Sequence, residues 1–383
     1  MDHGKKKQGE NGSMKYYFRA EKMSVGYQKH PLIENIEIAL QKGEILTLIG
    51  PNGAGKSTIL KSIARELALI CGTVYIDEKQ METMSGQELS KNLAVVFTEK
   101  LRSEMMTCED VVATGRYPYT GRFGILSPKD HQVVKEAMES VHVTVIKDQD
   151  FNRISDGQRQ RVMLARAIAQ EPEIIILDEP TSYLDIRYKL EFLSVLQEMR
   201  KKKGLTVIMS LHELELAEKV SDKILCVNGR YVDRFGKPEE IFVPGYIAEL
   251  FSVSSGSYDE INGNMELPAI KGDAEVFVIA GGGTGRNVYR RLQRNGIPFA
   301  TGILFQNDLD YPAAKALATE VICAESFEPV TDRQLELAKQ RLQICDNVIC
   351  TKESFGTFES ANQELFEYAK QCKKQIELSY QNE

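Results

Sequence analysis

The 383-residue sequence has no CxxC pair among its seven cysteines (Cys71, Cys108, Cys226, Cys323, Cys345, Cys350 and Cys372), and most of them stand in apolar surroundings. That argues against zinc ligands and a disulfide scaffold, and predicts reduced, buried thiols in a reducing compartment. No apolar run approaches the roughly 20 residues that a membrane-crossing helix needs, so any tie to a bilayer is expected to come through a partner. The start, Met1 to Ser13 with Lys5-Lys6-Lys7, lacks the apolar segment of a secretory signal and reads as a solvated, disordered tail. Basic charge is not in excess either. The formal net charge is −7 and the lysines and arginines are scattered, which argues against a nucleic-acid-binding face. With 42% apolar residues the chain can bury a sizeable core, and its length exceeds one typical domain, so two are expected.

What is present is concentrated first between Gly50 and Thr58. The run Gly50-Pro51-Asn52-Gly53-Ala54-Gly55-Lys56-Ser57-Thr58 follows the apolar stretch from Glu44 to Ile49 and precedes a helical pattern from Thr58 to Leu67. This is the strand-loop-helix context that the GxxxxGK[ST] pattern requires. Glycines there let backbone N–H groups close on a polyphosphate, and the helix N-terminus adds a favourable dipole. Lys56 reaches the terminal phosphates, and Ser57 can ligate magnesium. A turn that only joined strand to helix would account for the glycines but not for Lys56-Ser57 at the helix start. Around this loop, Tyr16 to Ala20, Ile36 to Leu40, Gly72 to Asp77 and Leu93 to Phe97 read as strands, with Tyr27 in a loop. Asp110 to Val143 reads as a helical insertion, broken at Gly115 to Arg122.

Three further clusters follow in order. Ile154-Ser155-Asp156-Gly157-Gln158-Arg159-Gln160-Arg161 opens a helix that runs to Ala169. The apolar strand from Glu173 to Leu177 ends in Asp178-Glu179 and leads to Ser182-Tyr183-Leu184-Asp185, and the strand from Thr206 to Leu211 ends at His212. Together with the phosphate loop, this ordered set resembles the ABC-type ATPases, over roughly Lys15 to Leu267. The resemblance implies ATP and Mg²⁺ as cofactors and a homodimer in which Ser155, Gly157 and Gln158 grip ATP held by the other subunit. It further implies that Ser57 and Asp178 hold the magnesium ion, that Glu179 polarises the attacking water as general base, and that His212 contacts the γ-phosphate. Asp185 falls in the family's D-loop, and Tyr27 stands where an aromatic ring stacks on adenine. The departures are Ile154 for Leu, Asp156 for the first Gly of the signature, and Tyr183 where a smaller residue is usual. Thr98-Glu99 stands where a sensing glutamine is expected, so either one of the two substitutes for it or the coupling chemistry differs.

Within the family, Gly115-Arg116-Tyr117-Pro118, the Ser155 to Arg161 signature and Gly236 to Phe242 resemble the importers of iron-siderophore, haem and cobalamin complexes. This implies an ATPase subunit on the cytoplasmic face of the membrane, beneath a separate polytopic permease that contacts residues 99 to 122. A substrate-binding protein takes part indirectly. The rival is a soluble ABC ATPase acting as a mechanical switch, but such proteins usually hold two ATPase halves or a long coiled coil, and neither is present.

From Glu249 to Lys271 the texture changes, with Ser254-Ser255-Gly256-Ser257 and Asn262-Gly263-Asn264. Strand and helix patterns then alternate to the end: Ala274 to Ala280, Arg286 to Asn295, Phe299 to Phe305, Val321 to Ala324, Asp332 to Ile344, Asn347 to Thr351, and a last helix from about Glu359. The fold expected is α/β throughout: residues 14–267 a P-loop ABC-type ATPase domain with a helical insertion, residues 271–383 a small doubly wound, Rossmann-like domain. The latter resembles an appendage of some importer ATPases. Its Gly281 to Gly285 loop is not a full GxGxxG, since Arg286 takes the third glycine's place. With Asn307, Asp308, Asp310 and Glu325 on neighbouring loops, it is expected to bind a small, anionic ligand.

Overall fold

The computed structural model describes residues 15–97, 105–121, 124–260 and 263–379. Thr98, Glu99, Arg122 and the 1–13 tail lie outside them. The chain divides into two compact units, Met1–Val243 and Pro244–Glu383.

In the first unit, β1 (Phe18–Tyr27) and β2 (His30–Leu40) pair antiparallel. They are joined at Gln28-Lys29, both at positive φ (49° and 66°). The turn lacks the glycine or asparagine that usually announces such a geometry, which is why Tyr27 ends a strand and not the loop expected from the sequence. β3 (Ile45–Ile49), buried at every position, feeds the Gly50 to Gly55 loop and α1 (Lys56–Ile63). β4 (Cys71–Ile76), β5 (Lys79–Gln80), α2 (Gly86–Asn92) and β6 (Leu93–Val96) follow. The helical insertion contains α3 (Cys108–Ala113), a 3-10 stretch Thr114–Tyr119, and α4 (Pro128–Ser140). Thr107 and Ser127 start its α-helices through capping boxes with Asp110 and Asp130. Next come α5 (Asp156–Ala169), β7 (Ile174–Leu177), α6 (Ile186–Lys203) and β8 (Thr206–Ser210). The unit closes with α7 (Leu214–Val220), β9 (Lys223–Val227), β10 (Val232–Gly236) and α8 (Pro238–Ile241).

Six strands form one sheet in the order β10-β9-β3-β8-β7-β6, parallel except for β10, and four form an antiparallel sheet in the order β2-β1-β4-β5. A single buried cluster joins Phe18, Met23 and Ile36 of the antiparallel sheet, Leu46, Ile176 and Ile208 of the parallel one, and Ile59, Leu60 and Ile63 of α1. Each such side chain contributes about 1.5–3 kcal/mol on burial, so the strand, loop and helix that begin the site are fixed from both sides. Among the described residues no helix is long and apolar enough to cross a membrane.

The second unit opens with α9 (Tyr246–Leu250) and the hairpin β11 (Ser257–Asp259) and β12 (Asn264–Glu266). The Gly245 amide donates to Glu260 Oε1 at 2.9 Å. The composition change after Glu249 marks this hairpin within the second unit. β13 (Val276–Ile279), α10 (Arg286–Arg294), β14 (Phe299–Phe305), α11 (Tyr311–Leu317) and β15 (Glu320–Ala324) follow. Then come α12 (Asp332–Ile344), β16 (Asn347–Cys350), α13 (Ser360–Gln371) and β17 (Gln375–Leu378). The five strands are parallel, in the order β15-β14-β13-β16-β17. Apolar side chains of α10 and α11 cluster with one set of strand residues, and those of α12 and α13 with another. This is the doubly wound arrangement. All seven cysteines are free; burial pushes the Cys345 thiol up to about 11.

Arg116 fastens the insertion to α5. Its buried guanidinium donates from Nε to Asp130 Oδ1 at 2.8 Å, and from Nη1 to the Ala169 carbonyl at 2.7 Å and Glu171 Oε2 at 2.8 Å. The Tyr119 ring lies 4.0 Å from it. Removing one member of a buried pair leaves the others uncompensated. Arg116→Ala is therefore expected to destabilise the first unit by about 3 kcal/mol, measured as a lower urea midpoint by circular dichroism; an unchanged midpoint would contradict this role.

Candidate nucleotide-binding site

The loop between β3 and α1 is crowded at Gly50 and Gly55. Gly50, Gly53 and Gly55 have φ 145°, 75° and 100°. A Cβ at Gly50 would stand 2.1 Å from the Val227 carbonyl oxygen, and one at Gly55 2.7 Å from Ile33 Cδ1. Lys56, 4% exposed, donates from Nζ to the Gly50 carbonyl at 2.7 Å and the Pro51 carbonyl at 3.0 Å. Burial pulls its pKa below the ordinary lysine value, against the opposing pull of Glu179 and Asp178. The Tyr27 hydroxyl lies 3.2 Å from Thr58 Oγ1, and the residue is 54% exposed. A cavity of about 460 Å³ brings Tyr27, Asn52, Gly53, Gly55, Lys56, Ser57 and Thr58 together with Glu179 and His212. Pro51 belongs to the loop without lining the cavity, and Ala54 is turned into the core.

The carboxylates at the end of β7 are set by a residue that the motif reading passed over. Ser210 Oγ donates to buried Asp178 Oδ1 at 2.7 Å and accepts from the Glu179 amide at 2.9 Å. One hydroxyl thus clips the ends of β7 and β8 together; its signal was a lone serine closing an apolar run. Glu179 itself sits at φ 49°, unusual for a residue with a side chain. Its Oε1 lies 2.6 Å from His212 Nε2, and its Oε2 accepts from the Ser182 hydroxyl at 3.3 Å. Glu213, next to His212, accepts from the Thr181 hydroxyl at 2.8 Å and from Lys189 at 2.5 Å. Burial alone would raise Glu213, but the Lys189 and Thr181 hydrogen bonds hold it below the usual carboxylate value.

Ser155, Gly157, Gln158 and Asp185 lie elsewhere on the unit. Ser155 caps α5, accepting from the Gln158 amide at 3.2 Å while Gln158 Oε1 accepts from the Ser155 amide at 3.0 Å. A Cβ at Gly157 would come within 3.4 Å of the Tyr183 carbonyl oxygen. The turn therefore abuts the segment whose Asp185 caps α6, accepting from the Tyr188 amide at 3.0 Å. None of these four residues lines the cavity that contains Lys56. The site residues thus fall into two groups, one that lines the cavity and one that does not.

Residues 33–182 match the family model described as ABC transporter. An uncharacterized ABC transporter ATP-binding protein of Methanocaldococcus jannaschii is 41% identical over 288 residues, 75% of this chain and 99% of that protein. This chain belongs to the ABC transporter ATP-binding proteins. The iron(3+)-hydroxamate import ATP-binding protein FhuC of Bacillus subtilis is 34% identical over 235 residues, 61% of this chain and 87% of that protein. Among solved structures, the dimeric structure of MJ0796, a bacterial ABC transporter cassette, matches with a TM-score of 0.52 at 25% identity. That match covers 58% of this chain and 98% of the cassette. The first unit is thus an ATP-binding ABC ATPase. Residues 299–382 match a second model, the MJ0874 family.

In the second unit of this ABC ATPase, the expectation of an anion at the Gly281 to Gly285 loop is corrected. The chain's own carboxylates take its amides. Buried Asp310 accepts from Gly283 at 3.1 Å and Gly285 at 2.9 Å through Oδ2, and from Arg286 at 3.0 Å through Oδ1. Asp308 accepts from the Gly282 amide at 2.9 Å. An anion would meet two like charges where it needs donors. Burial pushes the Asp310 carboxyl up, with the Gly285 amide the strongest opposing influence. Asn307 and Glu325 lie exposed on the loops beyond β14 and β15. Asp310→Ala is expected to lower the melting temperature of the second unit, losing at least about 2 kcal/mol through orphaned amides. Asp310→Asn, which keeps one carbonyl acceptor, should lose less. ATP affinity should be unchanged in both, and equal melting of all three proteins would remove the clamp from the account.

Proposed function

We propose that this chain is the ATP-hydrolysing subunit of an importer for iron-siderophore, haem or cobalamin-type cargo. In this reading it works as a homodimer at the cytoplasmic face of the membrane, beneath a separate polytopic permease supplied by a substrate-binding protein. The observation that supports the dimer is that Ser155, Gly157 and Gln158 do not line the cavity that contains Lys56. A closed site then needs the turn of a second copy. The importer class rests on the Gly115 to Pro118, Ser155 to Arg161 and Gly236 to Phe242 motifs, and on the iron(3+)-hydroxamate import relative. Met105 and Tyr117, in the segment assigned to the permease, are exposed.

In the proposed mechanism the amides from Gly50 to Thr58 hold the polyphosphate and Tyr27 stacks on the adenine. Lys56 exchanges two neutral carbonyls for charged phosphate oxygens, which are stronger acceptors. Ser57 and Asp178 supply hard oxygen donors, and one carboxylate with a hydroxyl is a fitting protein share for Mg²⁺ bound to a nucleotide. An ion held by Ser57 and Asp178 would supply positive charge that offsets the charge of the nucleotide's phosphates. Glu179 takes a proton from the attacking water, held in place by Ser182 and His212, and His212 also contacts the γ-phosphate. Ser155, Gly157 and Gln158 of the second copy close over the same phosphates, with Asp185 on the adjoining segment. Either Thr98 or Glu99 stands in for the sensing glutamine, or the coupling chemistry differs.

Two substitutions separate binding from chemistry. Glu179→Gln keeps the hydrogen-bonding shape but cannot accept the proton, so turnover should fall about 10²- to 10⁴-fold while ATP binding persists and an ATP-bound dimer accumulates on gel filtration. Lys56→Ala should instead lose nucleotide binding, read by calorimetry. Parental hydrolysis by the glutamine variant would refute the general-base assignment. Co-purification with a polytopic membrane protein and cargo uptake by the reconstituted pair test the importer reading.

A further inference from the structure

The second unit holds a cavity of about 670 Å³ that the nucleotide site does not use. It lies where the loops after β14 and β15 meet the start of α13, at the carboxyl ends of the strands, the edge at which doubly wound sheets take ligands. Phe305, Val330 and Leu335 give it apolar walls, and Asn307, Glu328 and Glu364 give it polar groups. Its rim carries two phenylalanines, Phe327 and Phe358, that are 90% and 84% exposed. Burial in the unit's core therefore explains neither ring.

The backbone at both positions is turned by local hydrogen bonds, from the Glu328 amide to the Glu325 carbonyl at 3.2 Å and from the Glu359 amide to the Gly356 carbonyl at 2.9 Å. Phe327 sits at φ 63°, a region costly for an aromatic residue and a recurrent mark of ligand clamps. Phe358 lies in a 3-10 turn whose Glu359 accepts from the Gly356 amide at 2.9 Å and pairs with Lys352 at 2.7 Å. Firm support beneath a solvent-facing ring is the arrangement of a stacking surface, since the ordering cost is met before a ligand arrives.

The charges select the ligand. Among the described residues no lysine or arginine lines the cavity. Glu364 shares Lys339 with Glu336, at 2.8 Å and 3.1 Å, so one cation serves two carboxylates. Glu328 adds a further negative charge on the wall. A phosphate or carboxylate would be repelled here, as at the Asp308 and Asp310 loop. We propose that this cavity binds a flat heteroaromatic molecule that lacks anionic groups and presents positive charge or N–H donors. Its ring lies against Phe327 and Phe358, and its donors face Glu328 and Asn307.

The test is a fluorescence titration of the full-length protein with proflavine, a planar cation, and with pyrene-1-sulfonate, a planar anion. Saturable proflavine binding is expected, weakened roughly tenfold in Phe327→Ala and in Phe358→Ala, and reduced with a shallower salt dependence in Glu328→Gln. Both rings are exposed, so the melting temperatures should match the parent and report that folding is intact. Tyr27→Ala should bind the dye like the parent. Parental affinity in both phenylalanine variants, loss of binding in Tyr27→Ala, or tighter binding of the sulfonate than of proflavine would each overturn the proposal. None of these readings depends on ATP hydrolysis or transport.

Discussion

Backbone amides exposed at the start of a helix need an acceptor, and both units are organised around that requirement. In the first, β3 leads into a loop whose Gly50, Gly53 and Gly55 adopt positive φ, and Lys56 lies folded across it. In the second, β13 ends in an equally glycine-rich loop, but Asp310 has already answered its amides. The same strand-loop-helix geometry thus serves an exchangeable ligand in one case and a permanent internal one in the other. Two aspartates beyond β14 make the difference.

What was legible in the sequence follows the same physics. β3, β7 and β8 are buried on both faces, so their residues form unbroken apolar runs, and the loop and the carboxylates at their ends stand out against them. The helix Asp332–Ile344 was legible because Thr331 and Gln334 form a capping box before it. Other features depend on partners distant in the chain. Ser210 gains its meaning only beside Asp178, 32 residues away. Asp310 gains it beside Gly285, and nothing in the run Asp308-Leu309-Asp310 shows which loop it will cap. The edge strand β17 is only half buried and α11 is two turns long, so neither carries enough periodicity to be read.

The residues proposed to meet a second copy's nucleotide have local jobs of their own within the single chain. Ser155, Gln158 and Asp185 are all helix caps, and each satisfies donors that α5 or α6 would otherwise leave orphaned. The caps hold these polar groups through contacts within the chain itself, and Gly157 lies where the Ser155 turn meets the Tyr183 segment.

The Arg116 network has a mechanical consequence. Its guanidinium grips the carbonyl of Ala169, the last residue of α5, while Ser155 caps the first turn of that helix. The 14 residues of α5 form a rod about 21 Å long at the usual rise. Gly115 lies so close to Arg166 that a Cβ there would stand 2.2 Å from its carbonyl oxygen, which leaves no slack at this end. The exposed Tyr117 segment is therefore held against the C-terminal end of the same helix whose first turn Ser155 caps.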